Sequence, residues 1–414
     1  SQFNDLIFVQ DKALILDGSK GLRLYRNDIK YEPNKIYKSL DMNYINNFIF
    51  TVGDGFYCNG LYVIDVRDTV NPVVRAYDTG TFLNKIDVKM KAVPKGSPEK
   101  VAKIIVANTD ENIVKLYDFD YNTLNLTPIS TLTSNNLRKV YDVGIDAQGR
   151  AYVLGQRVYG DYAFEIFAED GTSLFVPLLP TNINQNVPYF PYIVEPVEPK
   201  SIHVVVDYLA QMQKPSHILI SAGRAGSLRY DLSVDNNGNI TSVSSPLEFP
   251  TSYYVLVEEQ GGGYRLQQYA AGNDSAIISD KYFDRIIIAD GDYNGIWVLD
   301  KNGANLTQKS TDNLTRTPLF TGAPARNVSW YGDLVFVSGG GAGIKIVSLR
   351  PGDEIEKPIL IPFNGLTYAF HSEANDNTMV VATDKGFVLY DISKLSDIKP
   401  ISSLNLPMFK IKVK

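Results

Sequence analysis

RNVSWYGDLVFVSGGGAGIKIVSLRPGDEIEKPILIPF (Arg326–Phe363) holds four strand-like runs and no stretch of helical period. RNVSWYG alternates polar and apolar residues, LVFVSGG is mostly apolar, GIKIVSL alternates again, and PILIPF closes the unit. Each run is about 5–8 residues, rich in β-branched and aromatic types and bounded by Gly, Asp, Asn or Pro. Strands this close together leave no room for a crossover helix, so they join by hairpins into an antiparallel sheet. The second run is the most continuously apolar, as a strand buried on both faces should be. The fourth is the most polar, which suits an outer edge.

The same unit recurs. Clear copies are Ala13–Tyr25, Arg285–Asp300, Leu334–Ser348 and Met379–Ile392, and looser ones are Phe48–Val66, Lys103–Asp118, Arg150–Phe167 and His217–Asp231. The spacing averages about 52 residues, the length of a four-stranded blade with its loops. A sheet repeated in this way must bury the faces that a single copy exposes, and a closed ring does so while leaving few free edges. The reading is therefore all-β: a single β-propeller domain over 1–414, with eight four-stranded antiparallel blades or, as the alternative, seven. Either Asp5–Gln10 or Met408–Lys414 is expected to supply the strand that closes the ring. Two insertions, at about 181–199 and 252–270, interrupt the repeat.

Composition narrows the function. The 414 residues are 44% apolar, enough for a large core, and the formal charge of −6 disfavours a nucleic-acid or anionic-membrane partner. No run is long enough to span a membrane as a helix. The single Cys58 excludes an internal disulfide, and with three histidines in the chain it reads as a loop side chain rather than a nucleophile. The opening at Ser1 reads as that of a processed mature chain. Quinone-dependent propeller dehydrogenases carry a Trp in nearly every blade, whereas this chain has two.

GLYVIDV (60–66) followed by Asn71-Pro72-Val73, and GFVLYDI (386–392) followed by Lys399-Pro400-Ile401, resemble the LVIVD-repeat family of propeller proteins. That pattern is a strand GLxVIDI followed by xxPxxV. About half of the units match it well and the others in outline. The resemblance implies a propeller in an extracytoplasmic setting, whether periplasmic, cell-surface or secreted, and no particular chemistry.

Candidate sites fall in three places. Aligning the inner strands (IDV, YDV, IHV, VSW) puts Asp87, Asp142, His203 and Ser329 at equivalent positions facing the central channel. There they form a set that could bind a cation or act as a base, or simply line a watery tunnel. Asp290, Asp292 and Asn294 match the first half of a calcium loop, but Lys301 stands where the bidentate acid belongs, so a structural turn is the preferred reading and no cofactor is expected beyond an optional Ca2+. Ser338–Gly343 is followed by a strand, not the helix a dinucleotide loop requires. His217 and His371 read as ordinary packing.

The third place is the insertions, with Tyr189, Phe190 and Tyr192 in one and Tyr253, Tyr254 and Tyr264 in the other. Both follow outer strands of neighbouring units, so both emerge on one face, together with Asp17, Asp54, Asp110, Asp290 and Asp384 of the turns between second and third strands. Aromatic residues on long loops of a rigid scaffold are the usual material of a binding surface. The sequence thus favours a non-enzymatic extracytoplasmic protein that binds a protein or glycan. The alternatives are a surface-layer or filament component, and a hydrolase or lyase at the channel mouth.

Overall fold

The computed structural model describes residues 3–9, 12–17, 21–26, 39–53, 60–179, 181–187, 190–195, 197–208, 213–249, 251, 253–269, 273–278, 285–290, 295–300, 302–303, 306, 319–322, 325–349, 359–361, 363, 368–383 and 386–405. Strands that are antiparallel to their neighbours account for all the regular structure among them. Eight sheets have three or more strands, in keeping with the eight units of the sequence. Seven are blades: I (39–79), II (85–132), III (137–177), IV (201–249), V (273–320), VI (327–361) and VII (369–405). The eighth, over 3–26, has three strands.

Within a blade the chain meanders outward from strand one to strand four, and burial follows the alternation of the sequence. In blade I the second strand, FIFTVG, and the third, GLYVID, are buried throughout, whereas the fourth, VVRAYDT, is not. The inner strand of blade II, KIDVKM, is buried at every second residue. The outer strand of blade IV is split at Ser244–Pro246, with Ile240–Val243 and Leu247–Phe249 pairing opposite ends of Ser227–Val234. Gly60 starts a third strand where only glycine fits: a Cβ there would meet the Asp78 carbonyl oxygen at 2.0 Å.

The core lies between blades. Phe48 and Phe50 of blade I meet Phe119 and Tyr121 of blade II, mostly edge-to-face, with centroids 5.1 to 6.3 Å apart. Further clusters join II to III, III to IV, IV to V, V to VI and VI to VII. The last joins VII to I, packing Val380, Phe387 and Leu389 on Met42, Tyr44 and Ile64. These clusters close a ring of seven, and the eighth repeat sheet does not intervene at the VII–I seam.

This resolves the question of closure. Blades I and VII each take all four strands from one continuous segment, so no strand is exchanged across the seam. Phe3–Val9, which covers most of Asp5–Gln10, pairs with Lys12–Asp17 in the eighth sheet and is not the closing strand. Met408–Lys414 lies outside the described residues. The motif strands carry structural roles: Asp65 is buried and takes Arg67 and Arg75 as partners, and Asp68 caps the following turn through the Val70 and Asn71 N–H groups.

Because apolar packing helps to close the ring, Phe387→Ala should lower stability by roughly 3–5 kcal/mol in denaturant unfolding. Val73→Ala, on an exposed outer strand, should stay within about 0.5 kcal/mol of wild type.

Candidate functional site

The inner strands turn alternate side chains into a central cavity of about 410 Å³. Register against the second strands sorts the lining into two tiers. Asp41, Lys85, Asp142 and His371 (opposite Val52, Ala107, Leu154 and Ala382) form the tier nearer the start of the strands. Asp87, His203, Ser329 and Glu373 (opposite Ile105, Leu219, Phe336 and Val380) form the next. All four channel residues expected from sequence line the cavity. Asp142, however, sits one step from the other three, because the nine-residue inner strand of blade III carries two register shifts and places Gly144 level with Asp87.

The carboxylates share one task. The channel-side edge of each inner strand has N–H groups that no strand pairs, and a buried, unpaired N–H is costly. Asp41 accepts the Ile86 N–H at 3.0 Å, Asp87 accepts that of Ile145 at 2.9 Å, and Asp142 accepts that of Ile202 at 2.8 Å. Glu373 accepts the Tyr44 N–H across the seam. In every case the acid belongs to one blade and the donor to the next. Ser329 does the converse, donating its hydroxyl to the Ser372 carbonyl of the following blade.

Cations complete the wall. Lys89 Nζ lies 3.0 Å from both oxygens of Asp87. His371 bridges the seam, with Nδ1 at 3.3 Å from Asp41 and Nε2 at 3.0 Å from Glu373. Burial pulls this imidazolium down, but the hydrogen bonds and charges of Asp41 and Glu373 outweigh it and push it up to about 9. His203 is the opposite case: burial, then the Lys89 charge, push it down to about 3, and its ring makes no hydrogen bond among the described residues. Burial pushes Asp142 up to about 7, against the nearby Lys85 and with help from Asp41.

His371 was expected to be ordinary packing, and the structure corrects this: it is a member of the channel wall. Glu373 lies two residues along the same strand and therefore on the same face, a signal available to sequence reading, as is the pair Asp87 and Lys89. Asp41 lies far away in the chain, so its place beside His371 was not. His217 also has a partner, pairing on the surface with Asp231 at 2.9 Å.

Asp290 is fully buried and accepts the Trp297 indole N–H at 3.0 Å. That contact fits the turn reading. Asp292 and Asn294 lie outside the described residues, and among those described no three His, Cys, Asp or Glu side chains converge as metal ligands.

The insertions form hairpins, Thr181–Val187 with Phe190–Glu195 and Tyr253–Glu258 with Tyr264–Tyr269, and the first strand of one lies against the first strand of the other. They share a face, as expected. Phe190, Tyr192, Tyr253 and Tyr254 are on these strands, Tyr264 is exposed near the second tip, and Tyr189, Asp54, Cys58 and Asp384 lie outside the described residues. A bridge between Gly340, in a turn between second and third strands, and Ala369, at the start of the next inner strand, shows that both kinds of connection meet on this face. Sequence reading missed four exposed apolar side chains on these connections: Val158, Tyr159, Leu179 and Tyr368.

No family model and no curated protein matches the chain. Among solved structures, the periplasmic gluconolactonase PpgL of Pseudomonas aeruginosa is 10% identical over 87% of this chain and 95% of its own, with a TM-score of 0.53. Chaetomium thermophilum Sqt1, solved bound to the N-terminus of ribosomal protein L10, is 13% identical over 91% and 89%, with a TM-score of 0.45. Citrobacter koseri AztD is 9% identical over 96% and 93%, also with a TM-score of 0.45. These likenesses are of fold, and the fold is the β-propeller.

Two outcomes follow. His371 has a folded value above its ordinary 6.5, so its contribution is complete below 6.5 and disappears as pH rises through about 9. The wild-type unfolding free energy should therefore decline over that interval, by at most roughly 3 kcal/mol from this group, and His371→Gln should flatten the decline. Asp290→Ala should cost about 1–3 kcal/mol by orphaning the Trp297 N–H, while EDTA leaves the wild-type melting temperature unchanged.

Proposed function

We propose that this chain is a non-enzymatic binding module of the extracytoplasmic space, and that it takes a protein or glycan on the face bearing the two hairpins. The observation that carries the reading is a set of exposed apolar side chains on the connections of that face. Tyr159 (89% exposed), Leu179, Tyr264 and Tyr368 all sit in connections that the meander of a four-stranded blade delivers to that one end. Tyrosines held on a rigid scaffold supply contact area at little entropic cost, and large exposed aromatics on loops mark recognition surfaces.

The channel supports the same reading by what its groups already do. Asp87 holds the Ile145 N–H and Lys89, and Asp142, which burial pushes up to about 7, holds the N–H groups of Ile202 and Val143. His203, with a value near 3, is a weak proton acceptor at neutral pH, where general bases work best with values near 7. A hydrolase would have to draw its base from carboxylates that already hold the blades together. A filament component would have to bury the tyrosine face against a second copy.

Replacing Tyr159, Tyr264 and Tyr368 together with Ala should abolish capture of the partner from an envelope fraction, or weaken it at least a hundredfold, with the circular dichroism and melting temperature of wild type retained. Capture at wild-type strength by the triple variant would refute the reading.

A further inference from the structure

The cavity has a chemistry that the proposed loop-face function leaves unused. Four carboxylates line it, Asp41, Asp87, Asp142 and Glu373, and each already accepts a backbone N–H from the next blade. Asp41 and Glu373 also share His371, and Asp87 holds Lys89. Facing them are Lys85, Lys89, Lys200, Arg326 and His371. Among the described lining residues the cations outnumber the carboxylates, five to four. The chain as a whole is acidic, at −6, so this wall runs against the bulk of the molecule.

Three of these cations stand at one end. Lys85 opens the inner strand of blade II, and Lys200 and Arg326 immediately precede those of blades IV and VI. All three therefore stand at the mouth on the hairpin face. Deeper in, the wall offers neutral polar groups with unused capacity. Among the described residues, the Oδ1 atoms of Asn43 and Asn327 are buried acceptors with no donor. His203, a neutral ring with no partner among the described residues, presents one donor and one acceptor.

We propose that the channel is a binding site for a small polyhydroxylated carboxylate, which enters from the hairpin face with its anionic group toward Lys85, Lys200 and Arg326 and its hydroxyls toward Asn43, His203 and Asn327. A cavity of about 410 Å³ is the size of a small-molecule site. Hydroxyl donors are what the two orphaned amide oxygens lack, and an anion is what the mouth attracts. The proposal is independent of the loop-face reading.

Isothermal titration calorimetry with three probes tests it: gluconate, glucose for the hydroxyls without the charge, and propionate for the charge without the hydroxyls. Gluconate should bind at one site per chain, with glucose and propionate each at least tenfold weaker. Lys200→Gln, an exposed side chain whose loss should not disturb folding, should weaken gluconate at least fivefold, and His203→Phe should block it by filling the channel. Tyr264→Ala should leave it unchanged. An absence of saturable gluconate binding overturns the proposal. So does equal affinity for propionate or glucose, or unchanged affinity in both Lys200→Gln and His203→Phe.

Discussion

The fold depends on a hydrogen bond between side chain and backbone that crosses from each blade to the next. A propeller has an inner edge as well as an outer one, and the inner edge faces a channel where the N–H groups of the first strand have no ladder to join. Asp41, Asp87, Asp142 and Glu373 meet that need for four seams out of seven, each with an acceptor that a charge makes stronger than a neutral one. The hydrophobic clusters drive the blades together, but they are non-directional. The carboxylates fix how far one inner strand stands from its neighbour, and so the width of the channel.

The same arrangement explains how much could be read in advance. Strand period, Asp- and Gly-rich turns and the repeat are local, so the blade was legible from residues such as those of Leu334–Ser348. The insertions were legible too, since Gly261–Gly263 marks a turn and the neighbouring tyrosines mark strands. The choice between eight blades and seven was left open by the repeat, because it depends on whether Val380 and Phe387 pack on Tyr44 or on an intervening sheet. The channel tiers were half legible. IDV and YDV look alike, yet the register shifts around Val140 displace Asp142, and no local pattern announces a bulge of this kind.

Electrostatics in the channel shows how one environment sorts similar groups. His203 and His371 are both enclosed by the wall, and both are penalised for carrying charge there. One faces a lysine and stays neutral, while the other lies between two carboxylates and stays charged. Identity and burial would have given them one fate; their neighbours give them two. The wall is thus a framework first, and whatever recognition it performs uses the capacity that framework leaves over.

The continuity of each blade bears on how the molecule is made. Asp41 reaches Ile86 over 45 residues, whereas the equivalent bond from Glu373 to Tyr44 spans 329. Closing the longer loop costs about 2 kcal/mol more in chain entropy, and no shared strand clamps the two ends together. A chain emerging from the ribosome can stack its blades in order as an open arc, with the VII–I contact forming last. In the finished ring that seam is the natural place for breathing, and amide hydrogen exchange there should outpace exchange at the I–II contact.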